Sequence, residues 1–196
     1  MGDAIFKAVF VVGLLVYLFG VFGPHRRRSR MARIREERGT KVNALLSVLA
    51  AVGMYFVPLL YVLTSWPRFA DYQLPVWTGV LGAVALAAAL WLTWKAHADL
   101  GRNWSETLQI KEEHALVTRG VYRHVRHPIY AAQWLWGIGQ ALLLHNWIGG
   151  LAGLVSFLPV YLYRVPHEEQ MMRDHFGEEY RQYAKRTGRI IPPLRR

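Results

Sequence analysis

Two short constellations in the C-terminal half of the chain hold the residue types from which a site for a charged molecule is built. The first is the pentad Arg126-His127-Pro128-Ile129-Tyr130, and the second is Tyr161, Arg164, Pro166, Glu168 and Glu169. Proline is preorganised for the first position of a helix, so a helix beginning at Pro128 leaves the next backbone amides without intrahelical acceptors. Those amides and the positive end of the helix suit an anion. At helical spacing Tyr161, Arg164 and Glu168 share one face, with Glu169 turned about 100° away. Exposed, an Arg164–Glu168 pair would contribute only about a few tenths of a kcal/mol. Partly desolvated charges at a membrane surface are rarely kept without use. Brought together, the two sets suit a zwitterionic, amino-acid-like ligand, its carboxylate facing the amides and its ammonium facing Glu168. Arg164 is then left for a second anion.

What must bring them together is a helical hairpin. Apolar runs occupy 129–144 and 147–163, joined only by His145-Asn146, a connection too short for anything but antiparallel helices. Pro128 and Arg164 then fall at the same level, and the two constellations converge on one pocket. Pro166 should kink the second helix or mark the restart of a cytosolic one. Gln133 and Gln140 lie on one face of the first helix and should face protein or a wet cavity. Gly149 and Gly153, four apart, let the second pack closely.

Three more apolar runs precede the hairpin, at 4–22, 42–63 and 76–94, so the 196 residues, 53% hydrophobic, read as an all-α integral membrane protein with about five transmembrane helices. Pro58 should kink the second run or mark its last turn. The Ala-, Val- and Leu-rich stretch 83–90 offers a smooth packing face. The net charge of +11 first suggests nucleic acid, but placement excludes it as the partner. All of the 24 basic residues except Lys7 and Arg68 lie in the segments 26–41, 95–126 and 164–196. That alternation follows the positive-inside rule, with the N-terminus outside and the C-terminus cytoplasmic. The first run is long and its arginine cluster follows it, so it reads as a retained anchor rather than a cleaved signal. With no cysteine, disulfides, thiolate metal sites and cysteine nucleophiles are excluded. The chain divides into a three-helix scaffold with a basic cytosolic loop (1–96) and a catalytic region of connector, hairpin and C-terminal helix (97–196).

Of the remaining chemistry-bearing side chains, His97 and Asp99 sit at a helix end, where capping and pairing are commoner than catalysis. His124 and His127 are three apart, but no carboxylate or cysteine completes a set before the proline, so no metal site is expected. Tyr130, Trp134 and Trp136 suit either packing or a channel for a lipid tail.

The ordered set Gly101-Arg102-Asn103-Trp104-Ser105, His114 to Tyr122, the Arg126 to Tyr130 pentad, Arg164 to Glu169, Phe176-Gly177-Glu178-Glu179-Tyr180 and Pro192 resembles the isoprenylcysteine carboxyl methyltransferase family. The resemblance runs from about Leu100 to Pro192 and is closest to a compact prokaryotic form, without the extra N-terminal spans of eukaryotic members. It implies a membrane-embedded enzyme that uses S-adenosyl-L-methionine and releases S-adenosyl-L-homocysteine. It further implies that His114, Ala115, Leu116, Val117, Tyr122, His127, Pro128, Ile129, Tyr130 and Glu168 surround the cofactor, and that Arg164 faces the acceptor carboxylate. Gln109 matches a further cofactor contact across a small gap. Arg164 and Glu168 would be the two residues on which catalysis turns.

A carboxylate is ionised at neutral pH, so its methylation needs no general base, and positioning should supply about 7 to 11 kcal/mol of the acceleration. The expected acceptor is a lipophilic small molecule or lipidated peptide entering sideways from the bilayer. Two alternatives stay open: N-methylation of an amino-lipid or phospholipid, and a non-catalytic helical bundle or transporter in which the Arg164–Glu168 pair is structural.

Overall fold

The computed structural model describes residues 2–23, 34–37, 40–101, 109–111 and 115–193. Within them, α1 (Gly2–Leu15) runs on into wide π-helical turns at Val16–Phe22, and α2 (Lys41–Ala51) passes through a second π-helical stretch, Val52–Phe56, into α3 (Val57–Thr64). Then follow α4 (Val76–Leu100), α5 (Pro128–Leu144), α6 (Trp147–Phe176) and α7 (Glu178–Arg186). Four rods are long and apolar enough to cross a membrane: Asp3–Val21, Lys41–Thr64, Val76–Leu100 and Trp147–Phe176. The fifth expected span, α5, has 17 residues. At about 25 Å it falls short of the hydrocarbon thickness.

Pro58 stands in the first turn of α3, directly after the π-helical stretch, so the missing amide is absorbed where the ladder is already widened. A carbonyl in that stretch, Gly53 O, is taken by Gln140 Nε2 at 3.1 Å, and the same nitrogen donates to Gly149 O at 2.8 Å. Gln140 is fully buried, the protein-facing position its spacing predicts. The helix does not restart at Pro166. Instead α6 runs unbroken for 30 residues through Pro159 and Pro166. Between the two prolines the rod is held by packing, since Val160 and Val165 are both buried against the bundle.

Two glycines set the crossing of α4 and α5. A Cβ on Gly82 would lie 3.1 Å from Gly139 O, and one on Gly139 would lie 3.0 Å from Gly82 O, so α4 and α5 touch backbone to backbone. Gly149 and Gly153 serve packing within the chain, against Tyr61 and Gln140. The core joins all of these rods: Phe6, Phe10 and Tyr17 from the first, Met54 and Tyr61 from the second, Leu86, Trp136, Leu143, Phe157 and Val160 from the rest. Outward faces carry large apolar side chains, among them Phe19, Leu63, Val84 and Val155, as a lipid environment requires.

One element departs from an all-helical reading. Strands β1 (Ile34–Glu37) and β2 (Gln109–Lys111) pair antiparallel, Ile34 opposite Lys111 and Glu37 opposite Gln109. This short ribbon ties the connector after α1 to the one after α4. Its residues are too few and too charged for an alternating pattern to announce a strand.

The hairpin turn is closed by Asn146, whose Oδ1 accepts from the amides of Ile148 (3.0 Å) and Gly149 (2.7 Å) and caps α6. Its Nδ2 donates to Pro67 O and to Asp71 Oδ1, pinning the 65–75 loop against the turn. With that end fixed, the start of α5 and the later turns of α6 are held side by side at the other.

Candidate functional site

Glu168 lies where the two constellations meet. Its Oε1 accepts from the Tyr130 hydroxyl and is 3.6 Å from Arg164 Nε, while its Oε2 is 3.6 Å from His127 Nδ1. The geometry thus juxtaposes the start of α5 with the third face residue of α6, as the antiparallel connection demands. Above the carboxylate, toward the bundle interior, four rings pack on one another. Tyr130 meets Phe157 and Tyr161 at centroid separations of 5.9 and 6.2 Å, and Trp134 meets the same two at 5.4 and 5.8 Å. Arg164 and Glu168 are mostly enclosed, at 15% and 22% side-chain exposure, so the pair is stronger than a surface pair of that spacing.

The helix start has the expected form. Pro128 occupies the first turn of α5, and no His127 side-chain bond caps it. The Ala131 amide returns to His127 O at 3.0 Å, and helix geometry leaves those of Ile129 and Tyr130 to outside acceptors. His127 is buried between two carboxylates. Burial pulls its pKa down, but the carboxylates of Glu168 and Glu169 on either side outweigh that and hold it above the usual imidazole value.

The connector before α5 is fastened from α4. Asp99 accepts from the Val121 amide at 2.9 Å and from Lys95 Nζ at 2.5 Å, the pairing role its helix-end position suggests. Gly120, at φ +61°, comes so close to Asp99 that an added Cβ would overlap the carboxylate. The following turn, Gly120–Arg123, buries Tyr122. Burial above all, with the charges of Tyr183, Glu168 and Asp99, raises its phenol well above the usual value. His97 is buried in the last turn of α4, its Nδ1 at 2.7 Å from Thr93 O.

The sequence matches the family model for isoprenylcysteine carboxyl methyltransferase over residues 80–174. The match takes in just under half of the chain, and over that stretch the chain is similar to the family. It is 29% identical to protein-S-isoprenylcysteine O-methyltransferase A of Arabidopsis thaliana over 156 residues, covering 76% of this chain and 79% of that one. To the Homo sapiens protein-S-isoprenylcysteine O-methyltransferase it is 31% identical over 129 residues, covering 65% of this chain and 44% of that protein. The fold is similar to that of a eukaryotic intramembrane Ras methyltransferase, with a TM-score of 0.53 and 24% identity over 78% of this chain and 53% of that one. The chain therefore spans about half the length of that solved relative. With four helices of spanning length and this fold, it is a multi-pass integral membrane protein.

Against the cofactor that the isoprenylcysteine carboxyl methyltransferase family implies, the donor set fits. A mostly buried carboxylate, Glu168, is placed for an ammonium, and the amides at the start of α5 are placed for a carboxylate. Of the other expected cofactor residues, Ala115, Leu116 and Val117 lie in a run without regular secondary structure leading to the Tyr122 turn, Ala115 exposed and the other two half-buried. Gln109 is placed in β2 by its backbone. His114 lies outside the described residues. Among the described residues no group of three or more His, Asp or Glu side chains could hold a metal ion.

Sequence reasoning missed a neighbouring set. Glu169, 3% exposed, accepts from Arg126 Nε at 3.2 Å and from Arg189 Nε and Nη2 at 3.2 and 3.0 Å. Arg173 Nη1 stands 3.7 Å away, and His127 Nε2 3.4 Å away without hydrogen-bond alignment. The signal available was the doublet of glutamates with Arg173 at i,i+4. Nothing local pointed to Arg189.

Proposed function

We propose that the protein is an S-adenosyl-L-methionine-dependent carboxyl O-methyltransferase of the membrane, acting on a prenylcysteine-like small molecule or lipidated peptide. The observation that carries this reading is the enclosed Arg164–Glu168 pair meeting His127 and Tyr130 at one end of the hairpin, inside the segment matched to the isoprenylcysteine carboxyl methyltransferase family. When bound, the cofactor supplies an activated methyl group on a sulfonium centre. Glu168, held in place by Tyr130 and His127, receives the ammonium of an amino-acid-like ligand, and the amides of Ile129 and Tyr130 receive its carboxylate. Ala115, Leu116, Val117, Tyr122, Pro128 and Gln109, with His114, form the remaining walls. Arg164 orients the acceptor carboxylate, which needs no proton removed at neutral pH.

The ring cluster of Tyr130, Trp134, Phe157 and Tyr161 excludes water at the bundle side of the pair and so strengthens its charges. An anionic acceptor is favoured over an amino-lipid because the charge that stands beside Glu168 is the Arg164 cation. A scaffold role alone would leave the enclosed pair without use. In this reading α5 crosses as the shorter partner of α6, making five spans, and the positive-inside rule puts the site end and the C-terminus at the cytoplasmic surface.

Titration calorimetry with S-adenosyl-L-homocysteine on the folded protein in detergent is the first test, and saturable one-to-one binding is expected. Absence of binding returns the chain to a non-catalytic bundle. Mass spectrometry of prenylcysteine analogues and lipids incubated with isotope-labelled cofactor then identifies the acceptor: an ester mass shift on a carboxylate supports the reading, and labelled amines alone overturn it.

A further inference from the structure

Glu169 takes no part in the reading above, yet it is the most heavily paired carboxylate among the described residues. Its partners come from three directions. Arg126 sits on the loop before α5, next to His127, and Arg173 lies one turn farther along α6. Arg189 belongs to the segment 187–193 that follows α7. That segment runs alongside the His127 loop as a strap. The Arg126 amide donates to Gly188 O and the His127 amide to Arg189 O, each at 2.8 Å, while the Gly188 amide returns to His124 O at 3.3 Å. Arg126 reaches past Glu169 as well. Its Nη1 donates to Ala184 O at 2.8 Å and to the Thr187 carbonyl, taking up acceptors at the end of α7. The strap lies beyond the residues 80–174 matched to the family.

We propose that Glu169 is a positioning residue: its carboxylate sets the His127 imidazole against Glu168 and, through Arg126 and Arg189, fastens the C-terminal strap to the loop that carries His127. A buried anion with several cations around it cannot be neutralised without stranding them. Arg126 and His127 are both enclosed, at 11% and 9% side-chain exposure, so loss of the Glu169 charge drives the imidazole toward its neutral form. The groups that face this imidazole are Glu168 and Glu169 from α6 and the Tyr130 ring from α5. Around the two carboxylates stand Arg164 and Arg173 from α6, Arg126 from the loop of His127 and Arg189 from the strap, with Tyr180 of α7 near Glu169 and Tyr122 near Glu168. Neutral His127 no longer attracts Glu168, whose carboxylate is then held only by Tyr130 and Arg164. The functional half of this inference rests on the cofactor reading of Glu168, but the coupling of Glu169 to His127 and the strap does not.

The test is a pH titration of the full chain labelled with ¹⁵N-histidine in lipid nanodiscs, with His127→Asn identifying the resonance, alongside calorimetry with S-adenosyl-L-homocysteine. Glu169→Gln is expected to move the His127 midpoint down and to weaken ligand binding by about 10- to 100-fold, the scale of a misplaced orienting group. Glu169→Asp should restore part of both. Arg189→Gln, which keeps the buried carboxylate, should move the midpoint up, since it removes a nearby cation, and should speed tryptic cleavage at Lys185 and Arg186. A merely structural Glu169 would lower the melting temperature and leave the His127 midpoint in place. An unmoved midpoint in both variants overturns the inference. Wild-type protein that binds no ligand overturns the cofactor reading instead, while the midpoints still decide the coupling.

Discussion

Replacing Glu168 by Gln keeps the shape of the side chain and its ability to accept from the Tyr130 hydroxyl, and removes only the charge. In the structure that charge has three polar neighbours: the Tyr130 hydroxyl, His127 Nδ1 and Arg164 Nε, the last two at 3.6 Å. Neither cation is at hydrogen-bond distance, so neither saturates the carboxylate, and an incoming ammonium can still make a charge-assisted bond to it. Such a bond contributes about 1.5 to 3 kcal/mol, against about 0.5 to 1.5 for a neutral one. The difference, about 1 to 2 kcal/mol, predicts a dissociation constant for S-adenosyl-L-homocysteine raised about 5- to 30-fold in Glu168→Gln. Tyr130→Phe, which leaves the charge and removes one donor, should cost less than about threefold. Calorimetry on the two variants and the wild type at one pH, with circular dichroism to establish the helical content, is the assay. Wild-type affinity in Glu168→Gln, or an equal loss in both variants, refutes the assignment of the ammonium to Glu168.

Arg164→Ala should raise the KM for a carboxylate acceptor by about tenfold or more while changing ligand binding at Glu168 little, since its cation is proposed to face the acceptor; steady-state methyl transfer at saturating cofactor measures the split. The raised His127 pKa carries a stability prediction whose sign is fixed: the contribution is full below the unfolded value of 6.5 and is lost as pH rises through the higher folded value. Melting temperature should therefore fall across that interval, and the fall should flatten in His127→Asn. Gly139→Leu places a branched side chain where a Cβ already lies 3.0 Å from the Gly82 carbonyl. It should destabilise the bundle by about 1 to 3 kcal/mol or more, read as a lower unfolding midpoint in a denaturing detergent.

The helical rods were legible because a bilayer admits little else: uninterrupted apolar runs of about 20 residues have few other uses. The meeting of Tyr130 with Glu168 was legible for a related reason, since a two-residue connection leaves the hairpin no freedom in register. Gln140 was likewise readable as a protein-facing group. The reach of α6 was not legible. Pro166 is a helix breaker by local rule, and the burial of Val160 and Val165 just before it shows why the rod continues. The same limit hid Glu169. A helical wheel tells which way it turns from Glu168, but its partners Arg126 and Arg189 stand 43 and 20 residues away along the chain, joined to it by a strap with no periodicity of its own. The β1–β2 ribbon also joins distant connectors, and neither strand has the alternation that announces pairing.

The glycine contact between α4 and α5 is also a bulkhead. Where Gly82 and Gly139 press their carbonyls against each other's backbone, the gap left is narrower than a methylene, so no hydrocarbon chain can thread that seam. Farther along the other side of α5, Gly137 is just as tightly met by Leu154 of α6. A tail-bearing acceptor of the kind proposed could therefore thread neither of these seams on its way to Glu168 and Arg164.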